Sequence, residues 1–280
     1  MAITAEQVKA LRDITGAGMM DCKKALVETD GDAKAAEKLL KERGLAAVEK
    51  RTDRATGEGV LVIKGDDKKI AFAELLCETD FVAKNADFIQ VAQQVAEMVF
   101  NSEVNEASEE QKALVLDLAT RVRENMSVHR VACIKADAHS TLGHYVHHDK
   151  RTAAAIVVSS DNPDAFTNEE VKKFVHDCCL HIVAYTPSYL RQEDVAASYI
   201  EEQRALFTKQ VETLDKPENV KKGIVEGKIK KHFSEICFLD QPFVDNEKIS
   251  VNAAMTEVGK KAGATLKIEK IYLWKVGENA

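Results

Sequence analysis

Four residues of the kinds that hold transition metals crowd one short stretch: His144, His147, His148 and Asp149. Alternation along a strand places His144 and His148 on one face and His147 on the other, so the three do not converge. A solvated strand end is the simpler reading, and no metal is expected. His176 and His181 stand five apart, out of step with the i,i+4 pairing of helical metal ligands, and are expected at the surface or on a partner face. The six cysteines, Cys22, Cys77, Cys133, Cys178, Cys179 and Cys237, form no CxxC pair. They read as reduced, buried thiols of a cytoplasmic protein. No phosphate-cradling GxxxxGK[ST] or GxGxxG and no Gly-x-Ser-x-Gly elbow occurs. A catalytic residue and a cofactor are therefore not expected. Lys228, Lys230 and Lys231 make a short basic run, either a solvated face or a site for an acidic partner.

The most informative stretch without a period is Glu78, Thr79, Asp80, Phe81 and Val82. It follows a strand-like run and precedes a helical one, so it reads as a surface loop. A large apolar ring beside a carboxylate on such a loop has two readings. Phe81 folds back to plug its own core, or it stands out as an aromatic anchor for a partner.

The elements that must position these residues show in the periodicity. Thr4 with Gln7 makes a capping box for a first helix, stopped by Gly16 and Gly18. Asp21 is placed to cap a second helix, and Asp32 a third that ends with Gly44 at its C-cap. GVLVIKG and KIAFAELLC around GDDK predict a hairpin. Phe88, Val91, Ala92, Val95, Met98 and Val99 predict an amphipathic helix, and Ser108 with Gln111 caps another. Residues 128–136, 141–148 and 152–160 read as an antiparallel meander, after which Thr167 with Glu170 caps a long helix ended by Pro187. From about 191 to 234 the chain is charged and helical, broken only at Asp215–Pro217, which predicts an antiparallel helical hairpin. Its seam is expected to join Val195, Ile200, Leu206, Phe207 and Val211 to Val220, Ile224, Ile229 and Phe233. A final helix and the strand LKIEKIYLWKV close the chain. Helices followed by strand sets with covering helices make an α+β protein.

The expected divisions are a three-helix module over 1–54, a core N-subdomain over 55–140, and a core C-subdomain over 141–280 carrying the hairpin. With 280 residues, 45% hydrophobic and 30% charged, the chain has material for several cores. Its start lacks the pattern of a secretory or transit leader, and no run approaches the roughly 18 apolar residues of a membrane span. The net charge of −7 argues against a dedicated nucleic-acid binder.

Two strings carry the reading further. Thr15 to Leu26 (TGAGMMDCKKAL) and Thr79 to Lys84 (TDFVAK) resemble the two signatures of the elongation factor Ts family, supported by Asp240 to Val244 (DQPFV) and by Tyr145-x-His147. The resemblance runs from Thr4 to about Gly277. It implies a ubiquitin-associated-like N-terminal module, a core of two antiparallel-sheet-plus-helix subdomains and an inserted helical hairpin. It also implies a guanine nucleotide exchange factor for the GTPase elongation factor Tu. Asp80 and Phe81, with Thr79 and Val82, match the segment entering the GTPase near its magnesium. Lys23 matches a contact to the nucleotide domain and His147 one to a more distant domain, although His148 replaces the usual small neighbour. Some members carry a further helical module after the last strand, whereas this sequence stops at Ala280, so contacts of that module do not transfer. Homodimerisation through the hairpin is expected as well. Two other classes stay open: a metalloenzyme built on the histidine cluster, which metal analysis would reveal, and a ribosome-associated structural factor, which would co-purify with ribosomes.

Overall fold

Local capping chemistry sets most helix starts. The computed structural model describes residues 3–278, and its first helix, α1 (Ala5–Thr15), opens on the reciprocal Thr4–Gln7 box, with bonds of 2.9 and 3.2 Å. It closes on Gly16, whose φ of 65° is the left-handed region that glycine enters freely. α2 (Met19–Glu28) starts from Gly18 instead of Asp21; Asp21 lies in the first turn and pairs with Arg123. α3 (Ala33–Glu49) is capped by the Asp32 carboxylate, which accepts from the N–H groups of Lys34 and Ala35. Val8, Leu11, Cys22, Ala25, Leu26 and Ala36 form the small core of these three helices.

Next come β1 (Glu58–Gly65), β2 (Lys69–Cys77), the short α4 (Asp80–Ala83), α5 (Ala86–Ser102), α6 (Glu109–Val122) and β3 (Met126–Lys135). α5 turns Phe88, Val91, Ala92, Val95 and Val99 onto Val115 and Leu118 of α6 and Ala71, Ala73 and Leu75 of β2. Each large side chain so buried contributes about 1.5–3 kcal/mol. Gly44, expected to end α3, lies inside it. A Cβ there would stand 2.7 Å from the Thr120 side chain, so this glycine serves the close approach of α3 to α6, and the helix runs on past it. β3 is also not part of a meander with the strands after it; it completes the sheet β1-β2-β3. A short turn does not oblige consecutive strands to pair, and Val131 is buried in the cluster beneath α5 and α6, which fixes the sheet that β3 joins.

The remaining elements are β4 (Ser140–Val146), β5 (Thr152–Ser160), α7 (Glu169–Tyr185), α8 (Ala197–Glu212), α9 (Glu218–Ile236), β6 (Pro242–Phe243), β7 (Asn246–Ser250), α10 (Val251–Lys261) and β8 (Leu266–Lys275). The second sheet runs β4-β5-β8, with β4 and β5 antiparallel and Leu142 opposite Val157. α7 lies so close to β4 that a Cβ on Gly143 would come within 2.5 Å of Val175 Cγ1. Its cap is Asn168, not Thr167, which ends a 3₁₀ turn (Pro163–Thr167). α8 and α9 form the helical hairpin, with Val211, Val225 and Ile229 buried. Leu206 and Val220, expected in its seam, are exposed. Polar cross-links also join the two arms: Arg204 pairs with Glu226 and Lys228 with Gln210.

The chain is thus α+β, with antiparallel sheets and an N-terminal group of three helices. It divides into two compact units, one of residues up to 64, 71–134 and from 275, the other of 65–70 and 135–274.

Candidate functional site

Phe81 is 82% exposed, the most exposed large hydrophobic residue among those described. It does not plug its own core. Two carboxylates explain how it is held out. Glu124, just past α6, accepts from the Thr79 N–H at 3.1 Å and from the Thr79 hydroxyl at 2.7 Å. Glu78 accepts from the Asn125 N–H at 2.6 Å and pairs with Arg54 at 3.1 Å, and the Asn125 bond holds its carboxyl below the usual range. Thr79 then caps α4 through the Val82 N–H, and Val82 and Ala83 are buried in the core beneath α5. With Val82 inward, Phe81 points outward on a turn whose ends are both fastened. Asp80 accepts a 2.6 Å bond from Lys84, which keeps its carboxyl below the ordinary range and ionised at neutral pH. The turn therefore presents a rigid apolar ring beside an ionised carboxylate.

Lys23 is exposed on α2. Met20, Lys23 and Val27 stand at i, i+3 and i+7 on one helix face; Met20 is 62% and Val27 56% exposed, and Ile14 at the end of α1 and Met19 are exposed too. Together they make an exposed apolar face that carries a lysine. His147 follows the end of β4, half-buried, with Nδ1 3.2 Å from the Tyr145 hydroxyl and its backbone N–H donating to Thr152. Lys23 belongs to the same compact unit as Phe81, whereas His147 lies in the other.

A family model described as elongation factor TS matches residues 78–278, most of the chain and all of the Phe81 turn. The chain belongs to the elongation factor Ts family. It is 55% identical over 277 residues to elongation factor Ts of Treponema denticola, covering 99% of each chain. It is 51% identical over 288 residues to that of Treponema pallidum, again 99% of each. To that of Borreliella burgdorferi it is 36% identical over 276 residues, covering 98% of this chain and 99% of the relative. The family is one of translation elongation factors.

In this chain the histidines differ from their expected positions. β4 ends at Val146, so strand alternation does not reach His147 and His148, whose rings meet at 4.3 Å between centroids. Among the described residues no three His, Cys, Asp or Glu side chains gather as metal ligands. His181 is not at a surface: it is fully buried, with both ring nitrogens bonded. Helical spacing alone placed it wrongly, because its partners lie some sixty positions further on. His176 is exposed, as expected. No disulfide forms among the described cysteines, and all but the half-buried Cys133 are buried. Burial pushes Cys77 up to about 12 and Cys237 to about 11, so both stay protonated. No helix among the described residues is long and apolar enough to cross a membrane.

The residues that sequence reasoning missed are the supports: Glu124, Asn125 and Arg54 around the Phe81 turn, and Met20 and Val27 beside Lys23. The only signal for the second group was their helical spacing from Lys23.

Proposed function

We propose that this chain is a guanine nucleotide exchange factor that binds GDP-bound elongation factor Tu and promotes release of GDP and magnesium, so that GTP can rebind. The observation that carries the reading is an aromatic ring held in solvent on a doubly anchored turn beside an ionised carboxylate. A large aromatic ring held rigidly in solvent beside a charge is the kind of anchor that dominates protein interfaces. GDP and magnesium support each other's binding in the GTPase. A factor that prefers the nucleotide-free conformation must by reciprocity weaken GDP to the same extent that GDP weakens the factor. No covalent step and no general acid or base is required. Phe81 enters between elements of the partner and Asp80 disturbs the network around magnesium, while Thr79 and Val82 hold the turn. Lys23 with Met20 and Val27 docks the nucleotide domain, and His147 a second domain. The direct test is release of fluorescent GDP from purified elongation factor Tu with and without the protein.

The anchor is testable separately. Glu124→Ala removes an acceptor shared by two donors, each such charged bond contributing about 1.5–3 kcal/mol. Exchange is expected to fall roughly tenfold, because small misplacements of a positioned group are costly. Glu124→Gln, which keeps one acceptor, should recover part of it. An alanine variant exchanging at the parental rate would remove Glu124 from the account.

The hairpin is assigned to self-association. One side of it carries a groove of about 970 Å³ lined by Ala205, Val211 and Val225 between Glu201, Lys209 and Lys222, apolar in its floor and mixed in charge along its rim, which suits a second copy of the same surface. Replacing 197–236 by a short linker should leave the remaining fold intact and shift the protein to monomer in light scattering. If the intact protein is already monomeric at micromolar concentration, the assignment is lost.

A further inference from the structure

The chain enters the hairpin through 186–196 and leaves it through 237–244, and the two passages are clipped side by side. Ser188 and Tyr189 donate to the Ile236 carbonyl at 3.0 and 3.1 Å, Phe238 donates to Tyr189, and Leu239 to Leu190. Beside this clip sits Gln241, 2% exposed. Its side-chain N–H donates to the Glu235 carbonyl at 2.8 Å, and its own carbonyl accepts from Val251 at 3.0 Å, tying the end of α9 to the start of α10. Its remaining polar atom, Oε1, lies 2.9 Å from His181 Nε2. On the other side of the imidazole, Nδ1 is 3.2 Å from the Val244 N–H. A backbone N–H can only donate, so Nδ1 carries the lone pair and Nε2 the proton that Gln241 accepts. Both ring nitrogens are thus committed, in opposite senses, to the segment leaving the hairpin.

The imidazole is fully buried, packed among aromatic rings. Tyr185 stacks on the ring at 4.5 Å, Phe238 meets it edge-on at 5.2 Å and Phe243 lies at 6.2 Å. The ionisable groups on the neighbouring elements are engaged or turned elsewhere. On α7, Asp177 pairs with Lys173, the Tyr185 hydroxyl donates to Glu247 of β7, and Cys178 is a protonated thiol. On the exit segment, Glu235 offers Gln241 its carbonyl and directs its carboxylate to His232, while Asp245 pairs with Lys173. Asp240 bears on the Cys237 thiol. No carboxylate stands against the imidazole to balance a positive charge.

We infer that His181 is the positioning residue of the hairpin root, and that protonating its Nδ1 releases the root. A second proton would set an N–H against the Val244 N–H, two donors facing each other, and leave a buried imidazolium with no carboxylate beside it. The segment 237–244 must then move or admit water. The inference is independent of nucleotide exchange, since it concerns only how the hairpin is held. The direction in pH follows from burial, which lowers this histidine's affinity for protons against the opposing Gln241 bond. An opened root takes the proton more readily than the closed one. The hold is therefore complete above the ordinary histidine range and is lost as pH falls through that range toward the lower folded-state value.

Amide hydrogen exchange on the intact protein, corrected for the intrinsic pH dependence, tests this residue by residue. Between about pH 7.5 and about pH 5, the amides of Ser188, Tyr189, Phe238, Leu239 and Val244 should lose protection by roughly tenfold or more, while those of Ala154–Val158 in β5 keep theirs. In His181→Leu the root should already be unprotected at neutral pH and show no further change with acid. Root and β5 amides moving together in the wild type, or a leucine variant that retains the pH dependence, would overturn the inference. Should that variant not fold, ¹⁵N shifts of the wild-type imidazole decide. They are expected to report the Nε2–H tautomer, ionising over the same interval in which the root opens. Ionisation without opening, or opening without ionisation, counts against it.

Discussion

Phe81→Ala is expected to slow GDP release from elongation factor Tu by roughly 30-fold or more, the effect of losing an interface anchor of about 2 kcal/mol or above. The protein's own thermal midpoint should scarcely move. At 82% exposure the ring contributes little to the factor's own core, and surface substitutions of this kind stay within about 0.5 kcal/mol. That separation is what gives the test its force: a loss of exchange cannot be assigned to unfolding. Asp80→Ala should act in the same direction but more mildly. Its carboxylate is engaged by the exposed Lys84, and that pair is screened by solvent. The double variant should fall short of the sum, since on the proposed mechanism both side chains act on one element of the partner. Added magnesium should blunt the factor's effect, because magnesium stabilises the state being opposed. Stopped-flow release with each variant, beside thermal melts, decides the matter. A folded Phe81→Ala protein with parental rates would leave the turn with no role in exchange.

How far the sequence reveals such a site depends on the range over which each interaction acts. The boxes at Thr4 and Ser108 are settled within three residues and were legible, as was the apolar stripe of α5. Gly44 was misplaced because its reason lies at Thr120, and β3 because its partner sheet is chosen by Val131 meeting α5 and α6. The Phe81 turn is an intermediate case. Residue types marked it as informative, but whether the ring turned in or out depended on Glu124, forty-five positions away from Thr79. A hydrogen bond at that separation leaves no periodic trace. His181 failed for the same reason: its acceptor and donor lie in the segment after the hairpin. What was legible was local; what fixes the candidate site is mostly not.

A buried ion pair in the first sheet carries the largest expected effect on stability. Glu74 on β2 is fully buried and pairs with the Arg130 Nε on the neighbouring β3. Its other oxygen accepts from the Gly277 N–H at 2.8 Å, and Arg130 donates to the Lys275 carbonyl at 3.0 Å. The two side chains thus tie residues 275–277 to the sheet β1-β2-β3 within one compact unit. Arg130→Met keeps most of the aliphatic packing but strands a carboxylate without its cation. Removing one member of a buried pair costs about 3–5 kcal/mol, which for a unit of this size lowers the thermal midpoint by roughly 10 °C. Replacing both residues, Glu74→Leu with Arg130→Met, should cost distinctly less than Arg130→Met alone, since no charge is then left behind, and the two substitutions should be strongly non-additive. Gly277 would lose its acceptor in the double variant, so a residual cost confined to residues 275–277 is expected and should show as faster exchange of the Gly277 amide. Thermal melts of the two singles and the double form the cycle. An Arg130→Met protein melting at the parental temperature would mean that water reaches Glu74 as readily as arginine does, and the tie between residues 275–277 and the sheet would have to rest on the backbone alone.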